Sequence, residues 1–94
     1  MLYTILYRSA IKKDIKRLEK SVSKTIKDII LKEIAVDPYQ GKQLKAKNLI
    51  YSWKIRLMKT DYRIAYQINR ELREIVILMV GTRENFYKEL EKRI

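Results

Sequence analysis

The chain has 94 residues, 22 of them lysine or arginine against 11 acids, for a formal net charge of +11, and it contains neither cysteine nor histidine. That length holds one domain, spanning residues 1–94, and 47% apolar residues set it apart from a disordered basic tail. Disulfides, thiolate metal sites and cysteine nucleophiles are excluded, and the commonest metal ligand and neutral-pH general base are missing, so no metal or cofactor is expected.

Leu2 to Tyr7 reads as a first strand, rich in aromatic and β-branched residues. Ser9 is a candidate N-cap for a helix from Ala10, in which Ile11, Ile15 and Leu18 recur at helical spacing. Ser21 or Ser23 opens a second helix, with Val22, Ile26, Ile29, Ile30 and Ile34 as its apolar stripe. Pro38 disfavours a helical Asp37, so this helix should end near Val36. Tyr39 to Ile50 reads as a polar loop around Gly41, pinned by Leu44, Leu49 and Ile50.

Three strands follow, at about 51–57, 62–69 and 74–80, joined closely enough to predict an antiparallel meander. Thr82 is expected to cap a C-terminal helix from about Arg83 to Lys92, with Glu84 in its first turn. The order is β-α-α-β-β-β-α. The fold class is α+β: an antiparallel sheet with a helical hairpin on one face and the C-terminal helix at the other. No apolar run approaches the roughly 18–20 residues of a membrane span. The first eleven residues lack a signal cleavage site, so a cytoplasmic protein without membrane partners is expected.

The charge is uneven. Residues 38–63 hold seven cations (Lys42, Lys45, Lys47, Lys54, Arg56, Lys59 and Arg63) and one acid, Asp61, so six of the eleven excess charges fall in about a quarter of the chain. Tyr39, Tyr51, Trp53 and Tyr62 are interleaved with them, a pattern suited to a polyanion that also offers flat bases. A basic surface over core aromatics is the plainer alternative.

Pairing of the second and third strands places the cations. Trp53, Ile55 and Leu57 can face Tyr62, Ile64 and Tyr66 only if partner numbers sum to an odd value. A four-residue loop, Met58 to Asp61, sets Leu57 opposite Tyr62 and Arg56 opposite Arg63, with Lys54 opposite Ala65. Lys54, Arg56 and Arg63 then share the face away from the helical hairpin, as a phosphate platform or as a solvated outer surface. The last strand, Ile75 to Val80, is apolar on both faces and needs cover on both. Only the C-terminal helix remains for the outer side, which brings Arg83 and Tyr87, four apart, to the edge of the basic surface.

Three segments, with the element order, carry a resemblance: Asp37-Pro38-Tyr39-Gln40-Gly41-Lys42-Gln43-Leu44-Lys45, then Trp53 to Leu57 with Asp61 to Tyr66, and Gly81-Thr82-Arg83-Glu84-Asn85-Phe86-Tyr87. The chain resembles the RelE/ParE superfamily of toxins from toxin–antitoxin pairs, and its RelE branch in particular. The resemblance implies a ribosome-dependent endoribonuclease that cuts A-site mRNA and so inhibits translation. By that resemblance Lys54, Arg56 and Arg63 hold the scissile phosphate, Arg83 assists the leaving group, and Tyr87 helps to activate the ribose 2′-hydroxyl. In some members the spacing from the strand-end glycine to this tyrosine is longer. Lys42, Lys45, Lys47 and Lys59 would contact RNA or the ribosome.

The implied partners are a small acidic or amphipathic antitoxin and the ribosome with its mRNA, and the toxin–antitoxin complex is expected at operator DNA. Cleavage by RNA's own 2′-oxygen suits a chain without histidine, because it needs alignment, a base and charge stabilisation rather than an external nucleophile. A ParE-like inhibitor of DNA gyrase and a non-catalytic RNA-binding module are the competing readings. The Arg83 and Tyr87 pair argues against the former.

Overall fold

The computed structural model describes residues 2–45, 48–82 and 84–94. The elements are β1 (Thr4–Tyr7), α1 (Ile11–Lys16), α2 (Lys20–Ile29), a π-helical turn (Ile30–Ile34), a 3-10 turn (Pro38–Gln40), β2 (Lys42–Lys45), β3 (Ile50–Leu57), β4 (Thr60–Asn69), β5 (Glu74–Thr82) and α3 (Phe86–Arg93). They form one five-stranded sheet in the order β1-β5-β4-β3-β2.

The α+β class, the helical hairpin on one face and the C-terminal helix on the other are as expected. Two strand features differ. Part of the expected loop is an edge strand, β2, in which Lys42 pairs with Ser52 and Gln43 with Tyr51. Only Leu44 breaks its polarity, too short an alternation to stand out. β1 runs parallel to β5 rather than antiparallel, with Tyr7 opposite Ile77. The two strands are far apart in the chain, with α1, α2 and three strands between them, so no tight turn forces them antiparallel.

The inner core joins the hairpin to the sheet. Ile11, Val22, Ile26, Ile30 and Ile34 pack on Tyr51, Ile55, Ile64, Tyr66, Ile68, Ile75, Ile77 and Val80. The helix stripe repeats every four residues, and the π turn, closed by Ala35 N–H on the Ile30 carbonyl at 2.9 Å, keeps Ile34 on that stripe. Glu19 takes the N-cap position of α2, so Ser21 and Ser23 lie inside the helix rather than at its start. Ala10, not Ser9, is the N-cap of α1.

A second, smaller core lies under α3: Ile50, Ala65, Leu78 and Met79 meet Phe86 and Leu90. β5 serves both cores through a bulge. Ala65 pairs with Met79 but Tyr66 pairs with Ile77, leaving Leu78 as the extra residue. Leu78 and Met79 therefore both pack outward, and Val80 returns to the inner core.

α3 starts later than its sequence suggests. Thr82 ends β5, and Asn85, in the left-handed region at φ 58°, precedes the first helical residue, Phe86. Glu84 is accordingly outside the helix. An eight-residue helix has little stability of its own. Burial of Phe86 and Leu90 contributes at most about 3–6 kcal/mol to holding it in place.

Candidate active site on the outer face of the sheet

The register of β3 and β4 decides which cations meet. The hairpin closes in two residues, Met58 and Lys59, both left-handed at φ 47° and 69°. This is the twist favoured in two-residue hairpins, usually built with Asn-Gly. The expected four-residue loop is thereby corrected, and the partner of each β3 residue moves by two. Trp53 faces Ile64 and Ile55 faces Tyr62, so the apolar faces are kept. On the outer face Lys54, not Arg56, is opposite Arg63, and Arg56 is opposite Asp61.

Asp61 changes the electrostatics of that face. Its carboxylate accepts a hydrogen bond from Arg56 Nη1 at 3.0 Å. The like-charge contact is thus Lys54 with Arg63, which costs roughly 0.2–1 kcal/mol when directly opposed on a sheet. Arg56 remains on the basic face but shares its charge with a carboxylate. The Arg56 side chain is 65% exposed and that of Asp61 14%, so water screens the pair from the arginine side, where a phosphate can compete for the guanidinium.

Arg63 is the centre of the site. β4 is the middle strand of the sheet, and Arg63 lies between Lys54 on β3 and Gly81 on β5. Arg63 Nη1 donates to the Tyr87 hydroxyl at 3.1 Å, and its guanidinium carbon lies 5.4 Å from the Tyr87 ring centroid. Tyr87 is held in turn by an edge-to-face contact with Phe86, at 5.6 Å between ring centres. Arg63 Nε is buried and has no partner among the described residues. A lost partner of this kind costs roughly 1–3 kcal/mol, the sort of strain that recurs at functional sites.

A cleft of about 400 Å³ opens beside Arg63, lined by Gln40, Gly41, Lys42, Ser52, Trp53, Lys54 and Arg63. Its wall is fixed from below. The Tyr66 hydroxyl donates to the Pro38 carbonyl at 2.6 Å, and burial pushes the Tyr66 phenol well above its ordinary pKa. Any Cβ at Gly41 would collide with the Tyr66 hydroxyl and come within 2.8 Å of the Ser52 carbonyl. Only glycine lets the chain pass this close and deliver Lys42 to the cleft.

The sequence-predicted residues divide accordingly. Lys54, Arg63 and Tyr87 share the outer face, with Lys42 at the neighbouring cleft. Arg56 is on the same face, paired with Asp61. Lys45 is half-buried and bonded to Glu91 of α3 at 3.0 Å, so it ties β2 to the helix. Lys59 is exposed at the hairpin tip, away from this cluster. Arg83 and Lys47 lie outside the described residues. Gln40 and the Asp61 pairing were missed. Gln40 precedes Gly41 in a segment that showed only loop character, and the pairing depends on turn length, which Met58-Lys59 does not announce.

A small, mostly antiparallel sheet with a helical hairpin behind it and a C-terminal helix on the other face is the fold of a class of small toxins. Residues 5–91 match the family model of the ParE-like toxins of type II bacterial toxin–antitoxin systems, and the chain belongs to that family. Its structural relatives place it on the RelE-like branch. A double-arginine mutant of the E. coli toxin RelE in the free state is 28% identical, with 100% of this chain and 99% of that one covered and a TM-score of 0.79. The toxin in the intact E. coli RelBE toxin–antitoxin complex is 25% identical, covering 87% and 98%, at 0.69. The RelBE2 toxin–antitoxin complex from Mycobacterium tuberculosis, 22% identical and covering 88% and 100%, shares the fold at 0.77. No curated protein matches the chain by sequence. Among the described residues no helix is long and apolar enough to cross a membrane.

Proposed function

We propose that this toxin is a ribosome-dependent endoribonuclease that cleaves mRNA in the A site. The observation that carries the reading is the Arg63–Tyr87 hydrogen bond on a face where Lys54 stands directly opposite Arg63. In the reaction the 2′-oxygen of one nucleotide attacks the adjoining phosphorus, and the bond from phosphorus to the 5′-oxygen breaks. The products are a 2′,3′-cyclic phosphate and a free 5′-hydroxyl. Tyr87 relays the proton of the 2′-hydroxyl, accepting it on the phenolic oxygen as its own proton passes to water. Arg63 and Lys54 hold the phosphate oxygens, and their charge matters most as negative charge accumulates there. Arg56 joins them by exchanging Asp61 for the phosphate. Arg83 assists the departing 5′-oxygen by offsetting its negative charge, and water supplies the proton that completes the 5′-hydroxyl.

Lys42, Lys45, Lys47 and Lys59 contact RNA of the message or the ribosome. The ribosome aligns the message in line for attack, a contribution that a small open face lacks by itself. The work is done in the cytoplasm. The partner is a small acidic or amphipathic antitoxin, in keeping with the RelE relatives seen bound to RelB. The toxin–antitoxin complex binds operator DNA.

Expression of the chain alone, followed by primer extension on abundant messages, tests the proposal. Growth arrest with new mRNA ends that require ribosomes is expected. Arrest with intact mRNA and inhibited DNA gyrase would overturn the nuclease reading.

A further inference from the structure

The end of α3 is fastened to the opposite side of the sheet. β1 pairs with β5 only as far as Ile77, and the last bond along this edge is Arg8 N–H to the Ile77 carbonyl at 3.3 Å. Beyond it the edge of β5 has lost its strand partner, and its backbone groups need others. Two side chains supply them. Asp14 of α1 accepts the Val80 N–H at 2.9 Å, and Arg93 of α3 donates to the Leu78 carbonyl at 3.1 Å. The two then grip each other through a two-pronged pair, Arg93 Nη1 to Asp14 Oδ2 and Nη2 to Oδ1, both at 2.8 Å.

Asp14 is 4% exposed, so this pair is no surface ornament. Phe86, Leu90 and Arg93 follow each other at four and three residues, so one stripe of α3 carries two apolar anchors and then the fork. Tyr87 lies about 9 Å along the same helix from Arg93. A short helix with no side-chain cap at its start moves as a unit if its far end is released.

We propose that Asp14 and Arg93 are positioning residues: a buried latch that holds α3 down at its C-terminal end and so keeps Tyr87 against Arg63. The role rests on the reading that Tyr87 takes part in RNA cleavage. The latch reaches the site from behind the sheet edge and touches no substrate. It also demands an arginine, since lysine keeps the charge but cannot fork to the carboxylate and reach the Leu78 carbonyl together.

Two measurements on the full chain test it. Amide hydrogen exchange is compared between the parent protein and Arg93→Met, Arg93→Lys and Asp14→Asn. Loss of protection at Leu90 and its α3 neighbours at least tenfold greater than at Ile64, Ile75 and Ile77 is expected. Equal loss in helix and sheet would overturn the latch. Single-turnover cleavage of ribosome-bound mRNA is measured on the same proteins. A fall of about 10- to 100-fold in the cleavage step is expected for Arg93→Lys, with apparent affinity within about twofold and no further loss when Asp14→Asn is added. Parent-level cleavage with a loosened helix would overturn the positioning role. If the parent protein cuts no ribosome-bound mRNA, the nuclease reading and the positioning role fall together, while exchange still decides the latch itself.

Discussion

Arg63 and Tyr87 are joined by a hydrogen bond of 3.1 Å between the central strand and the C-terminal helix, with Lys54 across the strand pair from Arg63. The tyrosine is thereby held at a cationic face rather than left as a rim residue on the sheet. Its partners come from two different layers of the fold. The site therefore depends on the register of the β3–β4 hairpin and on the seating of α3 alike.

Asp61 acts as a competitor for Arg56. Replacing it with asparagine should cost about 1 kcal/mol, since the Arg56 side chain is 65% exposed but that of Asp61 only 14%. RNA affinity should rise, and the slope of log K against log salt should steepen by about 0.7 if one further phosphate contact is gained. Filter binding of single-stranded RNA at a series of salt concentrations checks this. An unchanged slope would show that Arg56 stays with solvent.

The hairpin turn is built from the wrong residues for its geometry. Left-handed backbone at a residue with a side chain costs roughly 1–2 kcal/mol. Met58→Asn with Lys59→Gly should therefore stabilise the chain by about 1 kcal/mol. Urea unfolding should show a higher midpoint with the same slope. A lower midpoint would mean that the turn is held by contacts of Met58 or Lys59 themselves.

This turn also marks how far the sequence could be read. Alternation along β3 and β4 is enough to put Lys54, Arg56 and Arg63 on one face, since every odd-sum register does so. Choosing among those registers needs the loop length, and Met58-Lys59 carries no Asn or Gly to reveal a two-residue turn. The same limit hid the bulge at Leu78: β5 is apolar throughout, so a slip in its alternation leaves no trace. Tyr87 was accessible because helical spacing and the need to cover β5 both pointed to the outer face. Asp14 and Arg93, 79 residues apart, look like ordinary helix charges until the sheet edge between them is seen.

Tyr66 gives the fold a dependence on alkaline pH. Burial first, and then the neighbouring Tyr51, raise its pKa above the ordinary tyrosine value. The unfolded chain loses this proton near pH 10 while the folded chain keeps it. Stability from this group is complete below that pH and falls above it, by about 1.4 kcal/mol per pH unit until the folded phenol ionises. Tyr3 and Tyr7 are shifted the same way, so Tyr66→Phe should reduce the fall rather than abolish it. Urea midpoints from pH 9 to 11 read the slope, and an identical slope in Tyr66→Phe would contradict this assignment.

The most direct measurement is single-turnover cleavage of ribosome-bound mRNA, mapped by primer extension, for the parent chain, Tyr87→Phe and Arg63→Ala. Cuts in the A site that need ribosomes are expected from the parent. The two variants should be folded by circular dichroism and slower by about 10²–10⁴-fold and about 10²–10³-fold respectively. Parent-level cutting by Tyr87→Phe, or no cutting by the parent, would contradict the assignment of this arginine–tyrosine pair as the catalytic centre.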